Sequence, residues 1–197
     1  LGLTAGKLGD DFRGEPEGGK HPDKPFIEEV AIDKNRFVKR YAEGVNPISH
    51  GIVIDHICRG EDKKEIRAHI GRIISVMKLF GKGGEWITAS RENPDATKGI
   101  IFRPDREVLT ESEINKLAAI APGSTINIIA GSKIIKKLRL HMPPRVYNLD
   151  SVSCKNDNCI SHPSHGENIP AEFFKISENT FVCRYCEKIH TFKEIWK

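Results

Sequence analysis

The sequence lacks an apolar run long enough to cross a membrane. Its strongest candidate, residues 70–80, is interrupted by Arg72 and Lys78, whereas a spanning helix needs about 20 predominantly apolar residues. Residues 1–11 contain Gly, Lys and Asp where a secretory signal requires an apolar core. These two absences predict a cytoplasmic protein that has no membrane partner.

The sequence is also poor in aromatic residues, at 7 %, and its formal net charge is only +4. Such a small basic excess does not indicate nucleic-acid binding, which usually needs a concentrated basic face. Glycine-rich phosphate loops of the GxGxxG and GxxxxGK[ST] types are missing. No nucleophile lies at a recognisable spacing from a base, so the sequence does not predict catalysis by this chain.

Hydrophobic periodicity predicts an α+β domain over residues 45–144. Apolar, β-rich runs predict five strands, at residues 52–57, 85–90, 99–103, 125–129 and 133–138. Residues 63–80 have the apolar spacing of an amphipathic helix, and a capping box of Thr110 and Glu113 begins a second helix. The order βαββαβ, with one extra strand, is that of a ferredoxin-like fold with both helices on one face of an antiparallel sheet.

Residues 1–44 are predicted to be an N-terminal extension or linker. Residues 14–25 are rich in turn formers and almost free of apolar side chains, which is typical of a loop. Residues 26–41 offer enough apolar contacts to favour a short helix.

Residues 145–197 follow a predicted hinge at residues 141–144 and carry a cysteine cluster. The pattern is Cys154-x4-Cys159, then 23 residues, then Cys183-x2-Cys186. Two pairs of thiolates on two loops can complete a tetrahedron around Zn²⁺. This cross-link would stabilise a β-rich unit of about 53 residues, which is too small to sustain a core easily. Four thiolates leave no position for water or substrate, so the predicted zinc is structural.

Other interpretations of the cysteines stay open. They are reduced cysteines that bind no metal, an Fe–S cluster, and a redox role for the CxxC pair, although redox sites normally occur in a βαβ context. His162, His165 and His190 are expected at the surface, because the four cysteines already form a complete ligand set. Cys58 is expected to be a small buried hydrophobe.

Charged residues in the first domain predict a site for an anionic ligand. Asp55 and His56 end the first predicted strand, and Lys98 precedes the third. A ferredoxin-like sheet places these strands side by side, so His56, Lys98 and Lys137 can converge on a polyanion while Asp55 accepts from a sugar hydroxyl or an amino group. The alternative is a solvated sheet edge, since lysines commonly face water there and discourage edge pairing.

Several segments resemble the regulatory chain of aspartate carbamoyltransferase. They are GIVIDHI at residues 51–57, LAAIAP at 117–122, TIN at 125–127, CKNDNCISH at 154–162 and CRYCE at 183–187. The motifs occur in the family's order with matching cysteine spacing. The resemblance runs from residue 45 to the end of the sequence.

The resemblance implies a non-catalytic regulatory subunit in de novo pyrimidine biosynthesis. The first domain would bind CTP as inhibitor and ATP as activator, and would form a homodimer. The zinc domain would contact the catalytic chain. The family's nucleotide-contacting positions match Ile48, Val53, Asp55, His56, Lys98, Thr125, Asn127 and Lys137. Its zinc ligands match Cys154, Cys159, Cys183 and Cys186.

The sequence departs from the family in two places. The family has a second lysine shortly after the one that matches Lys98, where this sequence offers Phe102 or Arg103, depending on a one-residue shift. Arg103 could replace that charge, whereas Phe102 could not. The usual regulatory chain also lacks residues 1–44. Because some members are fusions with the catalytic chain, residues 1–8 could instead be the tail of a fused catalytic domain.

Two functions other than regulation fit part of the sequence. A zinc-ribbon nucleic-acid-binding protein fits the basic balance and the four cysteines, but acidic residues such as Asp150, Glu172 and Glu187 dilute the basic charge of residues 145–197. A zinc enzyme is disfavoured because four thiolates leave no open coordination position.

Overall fold

The computed structural model describes residues 26–32, 49–89, 93 and 95–196. The strands are β1 (Ile27–Glu29), β2 (Gly51–Ile57), β3 (Gly84–Ala89), β4 (Thr97–Arg103), β5 (Thr125–Ala130), β6 (Lys133–Leu140), β7 (Arg145–Val146), β8 (Phe173–Ser177), β9 (Thr180–Cys183) and β10 (Ile189–Thr191). The helices are α1 (Lys63–Met77), α2 (Glu111–Ile120) and a short 3-10 helix, Pro163–His165. Within these ranges, no helix has the length and apolar character of a membrane span.

The first six strands form one antiparallel sheet in the order β1-β6-β5-β2-β4-β3. The portion β2-α1-β3-β4-α2-β5 has the predicted βαββαβ order, and β6 is the predicted extra strand. Ile52 and Ile54 of β2 pack in one core with Ile66 of α1 and Leu117 of α2. Both helices therefore cover the same face of the sheet, which confirms the predicted α+β, ferredoxin-like class.

Side chains cap the start of both helices. Asp62 accepts hydrogen bonds from the amides of residues 64 and 65 before α1. The capping box before α2 is confirmed, because Thr110 accepts from the Glu113 amide while the Glu113 carboxylate accepts from the Thr110 amide. Helix α1 ends at Met77, short of the predicted residue 80, because Lys78 adopts a left-handed conformation with φ 51°.

The prediction of a helix over residues 26–41 is wrong where the structure describes that segment. Ile27–Glu29 form β1, which pairs antiparallel with β6. This segment is extended because the outer edge of β6 offers it backbone hydrogen-bond partners. The apolar spacing within residues 26–41 contains no information about that distant edge. Residues 33–41 of this prediction, and most of the predicted extension 1–44, lie outside the described residues.

The last four strands form a second antiparallel sheet in the order β10-β9-β8-β7. Phe173 of β8 and Phe181 of β9 are fully buried within it. This confirms the predicted fold class of the second unit, which is small, β-rich and carries a cysteine cluster. Its boundary at residue 145 stays a prediction, because buried residues on both sides of that position belong to one continuous core.

Candidate functional site

The sheet face opposite the two helices carries most of the residues predicted to bind an anion. Side chains alternate along a strand, so Val53 and Asp55 point away from the helix side to which Ile52 and Ile54 point. Val53 forms a separate buried cluster with Ile100 of β4 and with one isoleucine of β5. This second face therefore has an apolar floor beside its polar groups.

Asp55 and Lys98 form a buried ion pair at the end of this floor. The Lys98 Nζ atom lies 2.7 Å from Oδ1 and 3.0 Å from Oδ2 of Asp55, and each residue is only 8 % exposed. A β-bulge between Ile54 and Ile57 changes the register of β2 against β4 at this point. The two predicted residues are therefore in direct contact, and the solvated-edge alternative is wrong for them.

His56 lies in the bulge with φ 65°. Its Nδ1 atom is 3.3 Å from Thr125 Oγ1 and 3.5 Å from Asp55 Oδ2, and its amide donates to Asp55 Oδ1 at 2.6 Å. Burial lowers the pKa of His56, Asp55 opposes this shift, and Lys98 and Lys137 reinforce it. His56 is consequently uncharged at neutral pH and can both donate and accept hydrogen bonds.

Asn127 and Lys137, the remaining described residues of the predicted site, lie beside Val53 on the same face. Asn127 pairs in register with Val53 on one side and with Lys137 on the other. Its Nδ2 atom lies 3.5 Å from the Val53 carbonyl oxygen, and the side chain is buried. The structure thus brings together seven of the eight predicted positions, and Ile48 lies outside the described residues.

The structure also decides which residue follows Lys98 on this face. Lys98, Ile100 and Phe102 alternate toward the second face, whereas Arg103 points to the helix side. Arg103 is buried there, with Nε donating to the Leu79 carbonyl oxygen at 2.6 Å and the guanidinium paired with Glu85. Arg103 therefore cannot supply the second cation of the family pattern.

Two cationic residues near this face were not among the predicted site positions. Arg59 is close enough for its charge to lower the pKa of His56, and Arg139 pairs in register with Thr125. The alternation along β6 places Arg139 on the same face as Lys137. That alternation was the available signal for Arg139, whereas Arg59 lies in the turn after β2, which no strand pattern covers.

The four cysteines of the second unit converge on one point. Their Sγ atoms all lie within 4.8 Å of one another. The Cys154–Cys186 and Cys159–Cys183 pairs are 3.6 and 3.7 Å apart, and a tetrahedron with Zn–S bonds of about 2.3 Å has edges of about 3.8 Å. The spacing and chemistry of these donors fit a closed four-thiolate metal site.

The hydrogen bonds around the cluster favour thiolate at one position. Burial raises the pKa of Cys154 and of Cys183. Burial also acts to raise the pKa of Cys186, but hydrogen bonds with Asn156, with the Lys188 amide and with two neighbouring cysteines together lower this pKa to about 7. A bound cation would favour the thiolate form of all four residues, because metal binding requires deprotonated sulfur.

The prediction that three histidines lie at the surface is wrong for His190. His190 is 3 % exposed, its Nε2 atom is 3.4 Å from Cys154 Sγ, and its ring packs edge-on against Phe173. It pairs in register with Phe181, which turns it inward, while its apolar neighbour Ile189 faces out. His162 is half-buried and His165 is exposed. Cys58, which was predicted to be buried, is only half-buried.

Helix α1 of the first unit contacts the C-terminal segment of the second. His69 donates from Nε2 to the Ile120 carbonyl oxygen at 2.5 Å, and its ring lies 6.5 Å from that of Phe192. The Arg72 guanidinium lies 5.8 Å from the centre of the Trp196 ring. No pattern in the sequence predicted this contact, which links the two units.

Comparison with known proteins assigns both units to one family. The domain described as "Aspartate carbamoyltransferase regulatory chain, allosteric domain" matches residues 43–141, and the one described as "Aspartate carbamoyltransferase regulatory chain, metal binding domain" matches residues 144–196. The aspartate carbamoyltransferase regulatory chain of Vibrio cholerae El Tor N16961 is 35 % identical over 154 residues, covering 74 % of this chain and 88 % of that protein.

Two longer relatives are similar to this chain over part of their length. "Protein PyrBI" of Treponema denticola is 47 % identical over 201 residues, covering all of this chain and 38 % of that protein. "Protein PyrBI" of Thermotoga maritima is 40 % identical over 159 residues, covering 80 % of this chain and 30 % of that protein. These matches favour a regulatory chain over the zinc-ribbon alternative and over a zinc enzyme. The chain belongs to the aspartate carbamoyltransferase regulatory chain family.

Proposed function

We propose that this chain is a cytoplasmic regulatory component that binds a nucleotide effector, CTP or ATP, on the second face of its first sheet. The observation that carries the proposal is the buried Asp55–Lys98 pair, which lies beside His56 and Thr125 at the end of an apolar floor. A buried set of polar groups next to an apolar surface is the usual composition of a small-molecule site.

Each group on this face has a matching group on a nucleotide. Lys137 and Lys98 are the cations for the phosphates, and they act as point charges rather than as bidentate donors. Asp55 accepts from a ribose hydroxyl, while Thr125 and Asn127 donate to and accept from the base. The apolar floor packs against the base or the sugar. Phe102 lies on this face where the resemblance implies a second lysine, so the phosphates lack the charge of that lysine.

The zinc ion of this proposal is held by the four thiolates of Cys154, Cys159, Cys183 and Cys186. Their spacing supports a structural site, which supplies a cross-link and no open coordination position. The metal would keep the second unit folded and so maintain the surface that contacts the catalytic chain of aspartate carbamoyltransferase. The cytoplasm, where thiols stay reduced, suits such a site.

Regulation requires that the effector binds two states of the assembly with different affinity. The contacts between α1 and the C-terminal segment give the bound effector a physical connection to the second unit. Phe192 touches His69 on one side and Phe181, in the core of the second unit, on the other. A shift of α1 on effector binding would therefore move the unit that carries the metal.

We also propose that the first units associate as a homodimer. Within the described ranges, no strand pairs with the outer edge of β3, and Trp86 on that strand is 41 % exposed. An edge strand presents unpaired backbone groups to a second chain. Light scattering should give twice the mass of one chain, and a Trp86→Lys variant should give a monomer. A monomeric wild type contradicts the dimer.

We further infer that the chain is the regulatory part of a longer fused polypeptide. Its whole length, including residues 1–44, aligns with a relative of which it covers only 38 %. Intact mass spectrometry of the protein from its natural source should give a mass well above 22.1 kDa. A natural protein of the shorter mass refutes the fusion and leaves the regulatory assignment in place.

Calorimetric titration of the zinc-loaded chain with CTP, and then with ATP, tests the nucleotide site. Lys137→Ala should weaken binding about tenfold or more, because a hydrogen bond to a charged group contributes about 1.5–3 kcal/mol. Lys136→Ala is the matched control, since this neighbouring lysine points to the other face and lies 3.6 Å from Glu29. Equal losses in both variants, or no binding by the wild type, contradict the proposal.

A further inference from the structure

A buried carboxylate joins the second metal-binding loop to the start of the second unit. Glu172, which directly precedes β8, is 6 % exposed. Its Oε2 atom accepts from Arg184 at 2.8 Å, and its other oxygen pairs with Nε of Arg145. Burying a carboxylate is costly unless it is paired, so this charge is held by two arginines.

Arg184 belongs to the loop that carries two of the four thiolates. It directly follows Cys183 and precedes Cys186 by two residues. Besides the side-chain contact, its amide donates to the Glu172 carbonyl oxygen at 2.9 Å. Glu172 therefore holds Arg184 at both the backbone and the guanidinium, immediately next to a cysteine of the cluster.

Arg145 anchors the other side of the carboxylate. It is the first residue of β7, and it follows the predicted hinge directly. Its guanidinium lies 4.3 Å from the centre of the Tyr147 ring and 5.9 Å from that of Phe174, the residue of β8 with which Arg145 pairs in register. Two aromatic rings therefore contact the guanidinium that pairs with Glu172.

We propose that Glu172 is a positioning residue for the metal centre, acting through Arg184 to fix the loop from Cys183 to Cys186 in its ligating conformation. This inference rests on the proposed zinc site. Groups that orient metal ligands from outside the coordination sphere typically change metal affinity by about 10–100-fold when they are removed. Glu172 contacts the loop rather than a sulfur atom, so we expect a loss near the lower end, about tenfold.

Zinc affinity is measured by competition with a chromophoric chelator, using the full chain. Glu172→Gln and Arg184→Gln should each weaken zinc binding about tenfold. The double variant should lose no more than either single variant, because both changes remove the same contact. Glu178→Gln is the matched control, since this carboxylate is also ion-paired, with Lys175 at 3.1 Å, but is exposed in a turn. It should bind zinc as the wild type does.

The signs of the two single changes separate positioning from plain electrostatics. If only charge mattered, Glu172→Gln and Arg184→Gln would change zinc affinity in opposite directions, because the two side chains carry opposite charges. Losses in both single variants that do not multiply in the double variant support positioning. Opposite signs, multiplying losses, or a Glu172→Gln variant equal to the control overturn it.

Failure of the zinc proposal itself gives a different result, namely a wild-type chain that takes up no zinc. Arg184 is one-third exposed, so Arg184→Gln keeps the test decisive if Glu172→Gln does not fold. With cobalt in place of zinc, the absorption bands of the tetrahedral thiolate site should broaden in Arg184→Gln. Unchanged bands together with unchanged zinc affinity refute the positioning role.

Discussion

Breaking the ion pair under the proposed nucleotide site should strongly destabilise the first unit. Asp55→Ala leaves the ammonium of Lys98 buried without its partner, and removing one member of a buried pair costs about 3–5 kcal/mol. The two side chains keep 12 % and 10 % of their exposure, which allows some solvation. We therefore expect a loss of about 3 kcal/mol, at the lower end of that range.

Urea unfolding followed by circular dichroism at 222 nm measures this loss. Both α-helices of the described residues lie in the first unit, so the helical signal reports on that unit. With a slope of about 2 kcal/mol per M, the midpoint should fall by about 1.5 M. Glu29→Ala, which breaks an exposed pair with Lys136 on the same sheet, should change stability by less than about 1 kcal/mol.

The double variant Asp55→Leu, Lys98→Met tests whether the unpaired charge of Lys98 causes the loss of stability. It removes both charges and should recover most of the stability that Asp55→Ala loses, because replacing a buried ion pair by apolar residues is often neutral. A loss below about 1 kcal/mol in Asp55→Ala refutes the claim that burial makes the unpaired Lys98 ammonium costly. A double variant that is as unstable as the single one refutes the charge argument.

Four further predictions concern stability. Thr110→Ala should cost about 1 kcal/mol in urea unfolding because it removes a helix cap, and an unchanged midpoint contradicts this. Gly99→Ala should cost about 1–3 kcal/mol, since its new Cβ would lie 2.9 Å from Ile66 Cγ2; wild-type stability would show that the helix moves freely. Burial lowers the pKa of His69 below its ordinary 6.5, so the unfolded chain binds this proton more readily. Stability should consequently fall as the pH decreases below 6.5, and the decrease should be smaller in His69→Gln; equal slopes contradict this. Chelation of the metal should unfold the second unit while the 222 nm signal of the helices persists. Loss of the 222 nm signal on chelation would show that the two units unfold together.

Elements that depend on residues close together in sequence could be predicted from the sequence. The strand pattern of β2, the capping box of Thr110 and Glu113, and the βαββαβ order follow from side-chain alternation and nearby hydrogen bonds. The cysteine spacing identified the cluster for the same reason, since two loops each contribute a close pair. These features need no knowledge of distant partners.

Features that depend on distant partners could not be predicted. Strand β1 exists because the edge of β6 is available, and that edge lies more than 100 residues away in sequence. His190 is buried because it faces Phe181 across the sheet, although its own strand would place Ile189 inside. The choice between Phe102 and Arg103 needed the register of β4 against β2, which pairs Phe102 with Val53.

Hydrogen–deuterium exchange of the zinc-loaded chain, with and without saturating CTP, tests whether an effector binds the first sheet and affects the second unit. We expect slower exchange in β2 and β5, which carry Asp55 and Asn127, together with altered exchange at residues 192–196, which contact α1. That result would place the effector on the first sheet and show that its binding reaches the second unit. Unchanged exchange in β2 and β5, or protection confined to the metal-binding unit, would refute effector binding on the first sheet.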